Sequence, residues 1–420
     1  GTFMPLDTVV ASAVFHNPTI QELRIQWMMS ERSYLAVWGD FEPVLLLRYK
    51  DADLHQQNSV QEVVSQFGQT EYSDKTEEYG IGIEGATLSG GSYWLGYTLE
   101  RSRSSLAEED EYTSFAGVTV EQPLLKGAFG GTPLVRLRIA RRERRIAYEE
   151  YRKSLMEMIS RVESAYWNLA FARELHLLAT ESLDIARKLL ADTEAQVKAG
   201  RLATTDLLEA QSGLSMRETY VQEAEQQIWD ARSQIRILLA DAPEIPYDEL
   251  NTADPLMPEE SEQNTVSQLL EWSLIAQPDY LIRLVELELE ELSVDYRKGE
   301  QLPELNVTGS FGLNGIGPTV EESLGKVNEQ NYPTWSLTAE FRLPLALGIK
   351  ERNELEVARY KQKIAETRVS SSAFEIERSL EIVKRRIESL VIQIEGARSV
   401  SSLKERQLEI GQGLLKAGQS

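Results

Sequence analysis

Cysteine is absent from the 420 residues, and histidine occurs only three times. Without thiols the chain can form no disulfide, thiolate metal site, cysteine nucleophile or lipid-modified N-terminal cysteine. No run of 18 apolar residues occurs, which excludes a transmembrane helix but leaves a membrane β-barrel open. Basic residues are outnumbered, 44 against 67 acidic ones, for a net charge of −23 with no basic stripe. Phosphate-backbone binding is therefore excluded, and nucleic acid with it. No clustered nucleophile, base or ligand set is present, so neither catalysis nor a cofactor or metal is expected. Gly127, Gly130 and Gly131 lack the Lys-Ser/Thr of a phosphate loop and read as a strand-to-helix turn. The chain opens at Gly1 without an initiator Met, as a processed, secreted protein would.

What is present is a duplication. Ala13 to Pro43 aligns without a gap on Ser273 to Pro303, matching Asn17-Pro18 to Gln277-Pro278 and Gly39 to Gly299. Val120-Glu121-Gln122-Pro123-Leu124 matches Phe341-Arg342-Leu343-Pro344-Leu345, and Lys198-Ala199-Gly200 matches Lys416-Ala417-Gly418. A unit of half the chain is too long for a solenoid repeat. The first repeat, 1–265, holds opening helices 6–38, strands 43–122, a helix hairpin 134–240 and a Pro-rich acidic connector 241–265. The second, 266–420, holds opening helices 266–298, strands 303–344 and a long helix 350–417, and a final helix is expected to be missing after it.

Pro18 and Pro278 should break each opening helix, because proline removes a donor and clashes with the preceding turn. After Pro303 the apolar period falls to two: Leu305, Val307, Gly309, Phe311 and Leu313, then Trp335, Leu337, Ala339, Phe341 and Leu343 across a turn-rich stretch from Gly315 to Asn331. Leu45, Leu47, Tyr49, Val118 and Val120 answer them in the first repeat. Between these lies a further hairpin, Tyr79 to Leu99, so that the first half supplies two or four strands. Tyr93, Trp94, Tyr97 and Trp335 are candidate interfacial aromatics.

Residues 134–199 carry an unbroken helical pattern, ~100 Å at ~1.5 Å per residue. Val162, Leu169, His176, Leu183, Leu190 and Val197 recur every seventh position, with Ala165, Ala172, Ala179, Ala186 and Thr193 as a small row. Such a repeat means coiled-coil packing. Residues 203–240 continue it, and Gly200 to Asp206 forms a tight tip, with Gly200 as C-cap and Thr204, Thr205 or Asp206 as N-cap. His176 reads as a seam residue rather than a metal ligand. Arg141, Arg142, Arg144 and Arg145 read as a solvated helix face, or as head-group or inter-subunit partners.

The helices spend their apolar faces on each other, which leaves lipid as the partner for Val307, Phe311, Trp335, Leu337 and Phe341. Lipid tolerates no open sheet edge. Four to six strands fall short of the smallest membrane barrel, so several copies must share one wall; dimer, trimer and tetramer would all close it. The fold class is thus mainly α with a membrane β-barrel portion, the long antiparallel coiled-coil helices forming an α-helical barrel. A coiled-coil scaffolding protein of the cell envelope, with a soluble sheet, is the alternative.

The ordered set of these features resembles the TolC-like outer-membrane channel (outer membrane efflux protein) family over essentially the whole chain. It rests on the duplicated unit, Asn17-Pro18 and Gln277-Pro278, Pro43 and Pro303 before strands, Gln122-Pro123-Leu124 and Leu343-Pro344-Leu345 after them, and the tip Ala199 to Leu208. The resemblance implies a homotrimer, an outer-membrane barrel, periplasmic helices girdled by an equatorial belt, and a passive exit duct of a tripartite efflux pump or type I secretion system. It also implies docking of the tip, Gly200, Arg201, Leu202, Thr205 and Asp206, onto a periplasmic adaptor that recruits an inner-membrane transporter. Asp206 and Glu209, gathered by symmetry, would form an acidic entrance. The Tyr79–Leu99 hairpin departs from the family's two strands per half and leaves open a barrel of more than twelve strands or a surface hairpin.

Overall fold

A computed structural model describes residues 2–65, 68, 70–105, 109–128, 132–240, 250–254, 264–344 and 348–416. Most of the connector 241–265, Gly130, Gly131, Leu345 and the second tip from Ala417 lie outside the described residues. The chain divides into two compact units: residues 1–28, 146–282 and 370–420 form one, and residues 29–145 and 283–369 the other.

In the first unit, strand β1 (Thr2–Met4) leads into helix α1 (Leu6–His16), and α2 (Pro18–Trp38) begins at the proline. The second copy repeats this as α6 (Val266–Ala276) and α7 (Pro278–Glu300). The break is local chemistry. Asn17 and Gln277 are extended, their N–H groups closing the first helix onto Ala13 O (2.9 Å) and Ser273 O (2.8 Å). Proline then occupies the first position of the next helix, where its missing donor costs nothing. Asn17 Oδ1 accepts from the Thr19 N–H (2.9 Å), while Nδ2 donates to Leu238 O (3.0 Å).

The hairpin consists of α4 (Thr132–Lys198) and α5 (Thr204–Leu239). Val162, Ala165, Leu169, Ala172, Leu183 and Thr193 are buried along the expected seam. The core continues through Val9, Ala13, Tyr166, Ile235, Leu239 and Leu250. Leu250 belongs to β6 (Leu250–Thr252), which pairs in parallel with β1. No sequence signal announced this two-stranded clasp.

In the second unit, β2 (Val44–Gln57), β3 (Glu71–Ala86), β4 (Ser92–Ser104), β5 (Glu111–Pro123), β7 (Glu304–Gly317) and β8 (Pro333–Arg342) form one antiparallel sheet in the order 2-3-4-5-7-8. A short helix α3 (Val60–Ser65) lies between β2 and β3. The first repeat therefore supplies four strands, and the extra hairpin lies in the sheet. The stretch read as turns from Gly315 to Asn331 is largely ordered: β7 runs to Gly317 and a helix α8 (Val320–Asn328) follows. Thr319 caps it, its hydroxyl accepting from the Glu322 N–H (3.3 Å). Ser323 is fully buried, its hydroxyl donating to Gly315 O (3.1 Å) and meeting the Ser114 hydroxyl. Period-two patterning ends at Gly315, so the helix was hidden from a strand-based reading.

The last helix, α9 (Ile349–Lys416), buries Leu355, Ala358, Ala365 and Ile376, whereas residues 385–410 are exposed. The arginine cluster has partners within the unit. Arg142 Nε and Arg145 Nη1 pair with Glu288 (3.2 and 3.5 Å), and Arg144 lies 4.8 Å over the Tyr34 ring.

Candidate functional site: the strand wall and the hairpin tip

Residues directly opposite in an antiparallel pair share a face, so the register traces each face across the wall. Leu47 pairs with Ile81, Ile81 with Tyr97, Tyr97 with Ala116, Ala116 with Leu313, and Leu313 with Pro333. One step nearer the helices the row reads Leu45, Ile83, Leu95, Val118, Phe311 and Trp335. Both rows are apolar from edge to edge. Most of their large side chains are exposed, Trp335 at 74 % and Leu47 at 68 %, with Tyr97, Val118 and Leu313 half-buried. Val307, Phe311, Trp335, Leu337 and Phe341 all lie on this face.

Beyond the Tyr49–Tyr79 ring pair (5.1 Å between centroids) the same face turns abruptly charged. Arg101 pairs with Glu77 (3.4 Å) and Asp110 (2.6 Å), Arg103 with Asp110 (2.6 Å), and Lys75 with Glu77 (3.6 Å). Hydrogen bonds from Arg103 and Arg101 hold the Asp110 carboxyl, in the turn beyond β4, at about 2.

The opposite face is mostly polar, with Val44, Leu46, Leu54 and Ile316 as aliphatic exceptions, and it carries one row without side chains. Gly82 pairs with Gly96, Gly96 with Gly117, and Gly117 with Gly312, a glycine row over four strands. Trp94 and Phe115 lie on it with ring planes nearly parallel, 12° apart, and centroids separated by 6.4 Å. A Cβ on Gly82 would come within 2.7 Å of Trp94 Nε1. Trp94 is thus not with Tyr93, Tyr97 and Trp335 in an interfacial set. Neighbouring residues of a strand point to opposite faces, so Tyr93 and Trp94 could not share one.

In the first unit, Gly200 adopts φ 71°, the left-handed region that favours glycine, and its N–H bonds Val197 O (3.0 Å) while that of Arg201 bonds Gln196 O (2.9 Å). The N-cap of α5 is Ala203 rather than Thr204, Thr205 or Asp206. The alanine side chain has no acceptor, so only the reciprocal half of a capping box forms: Asp206 Oδ2 accepts from the Ala203 N–H (3.0 Å), while the Asp206 N–H bonds the Ala203 carbonyl (3.1 Å). Leu202, Asp206 and Glu209 line one cleft of about 390 Å³ with Leu189 and Thr193. Arg201 and Thr205 are exposed and line no part of that cleft. His176 sits half-buried on the seam, 3.8 Å from Glu225.

Residues 94–241 match the outer membrane efflux protein family. Among solved structures, the chain is similar to the transmembrane channel protein CusC, with 14 % identity and a TM-score of 0.64 over 100 % of this chain and 84 % of that one. It is also similar to the outer membrane protein VceC of Vibrio cholerae (13 %, 0.64, 98 % and 86 %) and to the CmeC outer membrane channel of Campylobacter jejuni (15 %, 0.60, 99 % and 77 %). No curated protein sequence matches the chain. At such identities the structures establish the fold alone, and the family segment carries the rest. The family resemblance, the fold class of a duplicated helical body with a β portion, and the outer-membrane setting are borne out.

Proposed function

We propose that this outer membrane efflux family chain is a passive exit duct, assembled from three copies, that carries cargo across the periplasm and outer membrane for a tripartite pump or type I secretion system. One observation carries the reading: the apolar face runs unbroken from edge strand β2 to edge strand β8. Lipid is the occupant that such a face fits, with Val307, Phe311, Trp335, Leu337 and Phe341 in hydrocarbon and the Arg101–Asp110 network in the head-group layer. The band also drifts along the strands. The row of Leu47 reaches β8 at Pro333, yet the apolar set there centres on Leu337, four residues away. At ~3.4 Å per residue over five strand spacings of ~4.8 Å, this is a slope of about 30°, close to the tilt of strands in membrane barrels.

The tip residues Gly200, Arg201, Leu202, Thr205 and Asp206 would meet a periplasmic adaptor, and through it an inner-membrane transporter supplying the energy. Three copies of Asp206 and Glu209 would make an acidic entrance that favours cations. Carbonate extraction followed by planar-bilayer recording tests the reading. The protein should stay with the membrane and, once purified in detergent, open steady ohmic pores. Release by carbonate as a lipid-free monomer would favour an envelope scaffold instead.

A further inference from the structure

We infer that the β3–β4 hairpin is a stave of the membrane wall, so that each copy contributes six strands, with β8 of one copy joined to β2 of the next. This rests on the channel reading above. In the described residues β2 and β8 have a partner on one side only, and every residue of β8 is exposed. In hydrocarbon each unpaired backbone group costs several kcal/mol, so both edges must find strands. Five successive antiparallel pairings leave β2 and β8 running in opposite directions. Bringing β8 against a neighbour's β2 therefore repeats the antiparallel geometry found within the sheet. With Leu337 opposite Leu47, Trp335 meets Tyr49 and Ala339 meets Leu45, which continues the apolar band across the seam.

The competing seam, β2 on β2 about a twofold axis, fails on direction. The strand ends joined to the long helices α2, α4, α7 and α9, at Val44, Pro123, Glu304 and Arg342, all lie at one end of the sheet, whereas the short α3 and α8 lie at the other. A twofold seam would send the helices of the two copies to opposite sides of the membrane. A head-to-tail ring keeps them on one side.

The hairpin cannot be a decoration hung on a narrower wall. β3 is paired along nearly its whole length with both β2 and β4, from Leu45–Ile83 to Leu54–Asp74 and from Gly85–Tyr93 to Asp74–Ser104. The apolar face continues through it in Ile81, Ile83, Leu95 and Tyr97. Three copies then build eighteen strands, against the twelve that two strands per half would give. With ~4.8 Å between strands tilted at ~40°, the backbone wall is about 36 Å across rather than about 24 Å. Walls of that strand number enclose water instead of filling with side chains. The glycine row and flat Trp94 and Phe115 rings fit such a bore, since along that row over four strands no side chain stands off the wall.

The absence of native cysteine makes the seam directly testable. Leu47→Cys combined with Leu337→Cys, in the full chain extracted in mild detergent and oxidised, should give covalent dimers and trimers on a denaturing gel. Leu95→Cys with Leu337→Cys should stay monomeric. Leu45→Cys and Tyr49→Cys, each with Leu337→Cys, sample the register one pair to either side. The proposal is overturned if the Leu95 pair ladders, or if none of the three β2 variants does. Barrel-end diameter in electron-microscope projections gives a second readout that needs no substitution: about 24 Å would overturn it. Steady pores with a failed seam reject this inference and leave the channel reading standing; a lipid-free monomer rejects the channel reading itself.

Discussion

The Tyr166 hydroxyl lies 2.6 Å from Asp254 Oδ2, and the same carboxylate accepts the first free N–H of α1, from Leu6, at 2.9 Å. One side chain from the middle of α4 thereby fixes the β1–β6 clasp. The Tyr166 oxygen also accepts from the Ala253 N–H (3.0 Å) and sits 2.9 Å from Met4 O.

Tyr166→Phe should leave these groups without their partner in a site where the ring is only 1 % exposed, at a cost of about 1–3 kcal/mol. Denaturant unfolding of the detergent-solubilised protein would measure it. Burial, then the bond to Asp254, raises the Tyr166 pKa; the bond from Tyr166, then that from Leu6, lowers that of Asp254. The signs bracket a window. The Asp254 contribution is present above the ordinary carboxylate range and lost as pH falls through its depressed value. That of Tyr166 is complete below pH ~10 and lost as pH rises past it. The phenylalanine variant should lose the alkaline limb, and an unchanged alkaline profile would count against the assignment.

Two glycines of the hairpin should respond to alanine with opposite signs. At both, an added Cβ meets nothing within 4 Å, so the backbone alone decides. Gly200→Ala forces a left-handed residue to carry a side chain and should destabilise the tip by about 1 kcal/mol. Gly213→Ala, inside α5, should stabilise by about 0.5–1 kcal/mol. Hydrogen exchange across residues 196–216 would separate the two.

Gly82→Ala places a methyl group against Trp94, 2.7 Å from Nε1 and 3.1 Å from its Cε2. We expect destabilisation of about 1–3 kcal/mol, partly relieved when Trp94→Leu removes the overlying ring. Additive losses in the double mutant would show that the ring does not rest on the glycine row.

Asp206→Asn keeps an oxygen able to accept from the Ala203 N–H while removing the charge. The tip should stay folded and, if the entrance is acidic, the cation preference read from reversal potentials should fall. An unchanged preference would reduce Asp206 to a helix cap.

Periods in the sequence are local, and what depends on them was legible: the breaks at Pro18 and Pro278, the Val162–Leu169–Leu183 seam, the turn at Gly200, and the two faces of β7 and β8. Adjacent Tyr93 and Trp94 were legible too, had alternation been applied to them. Tertiary structure decided the rest, because the deciding partners are distant along the chain. Met4 meets Ala253, Ser114 meets Ser323, and β5 chooses β7 as its second neighbour while the inserted hairpin takes the place beside β2. Alternation gives each strand its two faces but leaves the order of strands free. Only backbone hydrogen bonding across the whole sheet turned six separate apolar stripes into one continuous band.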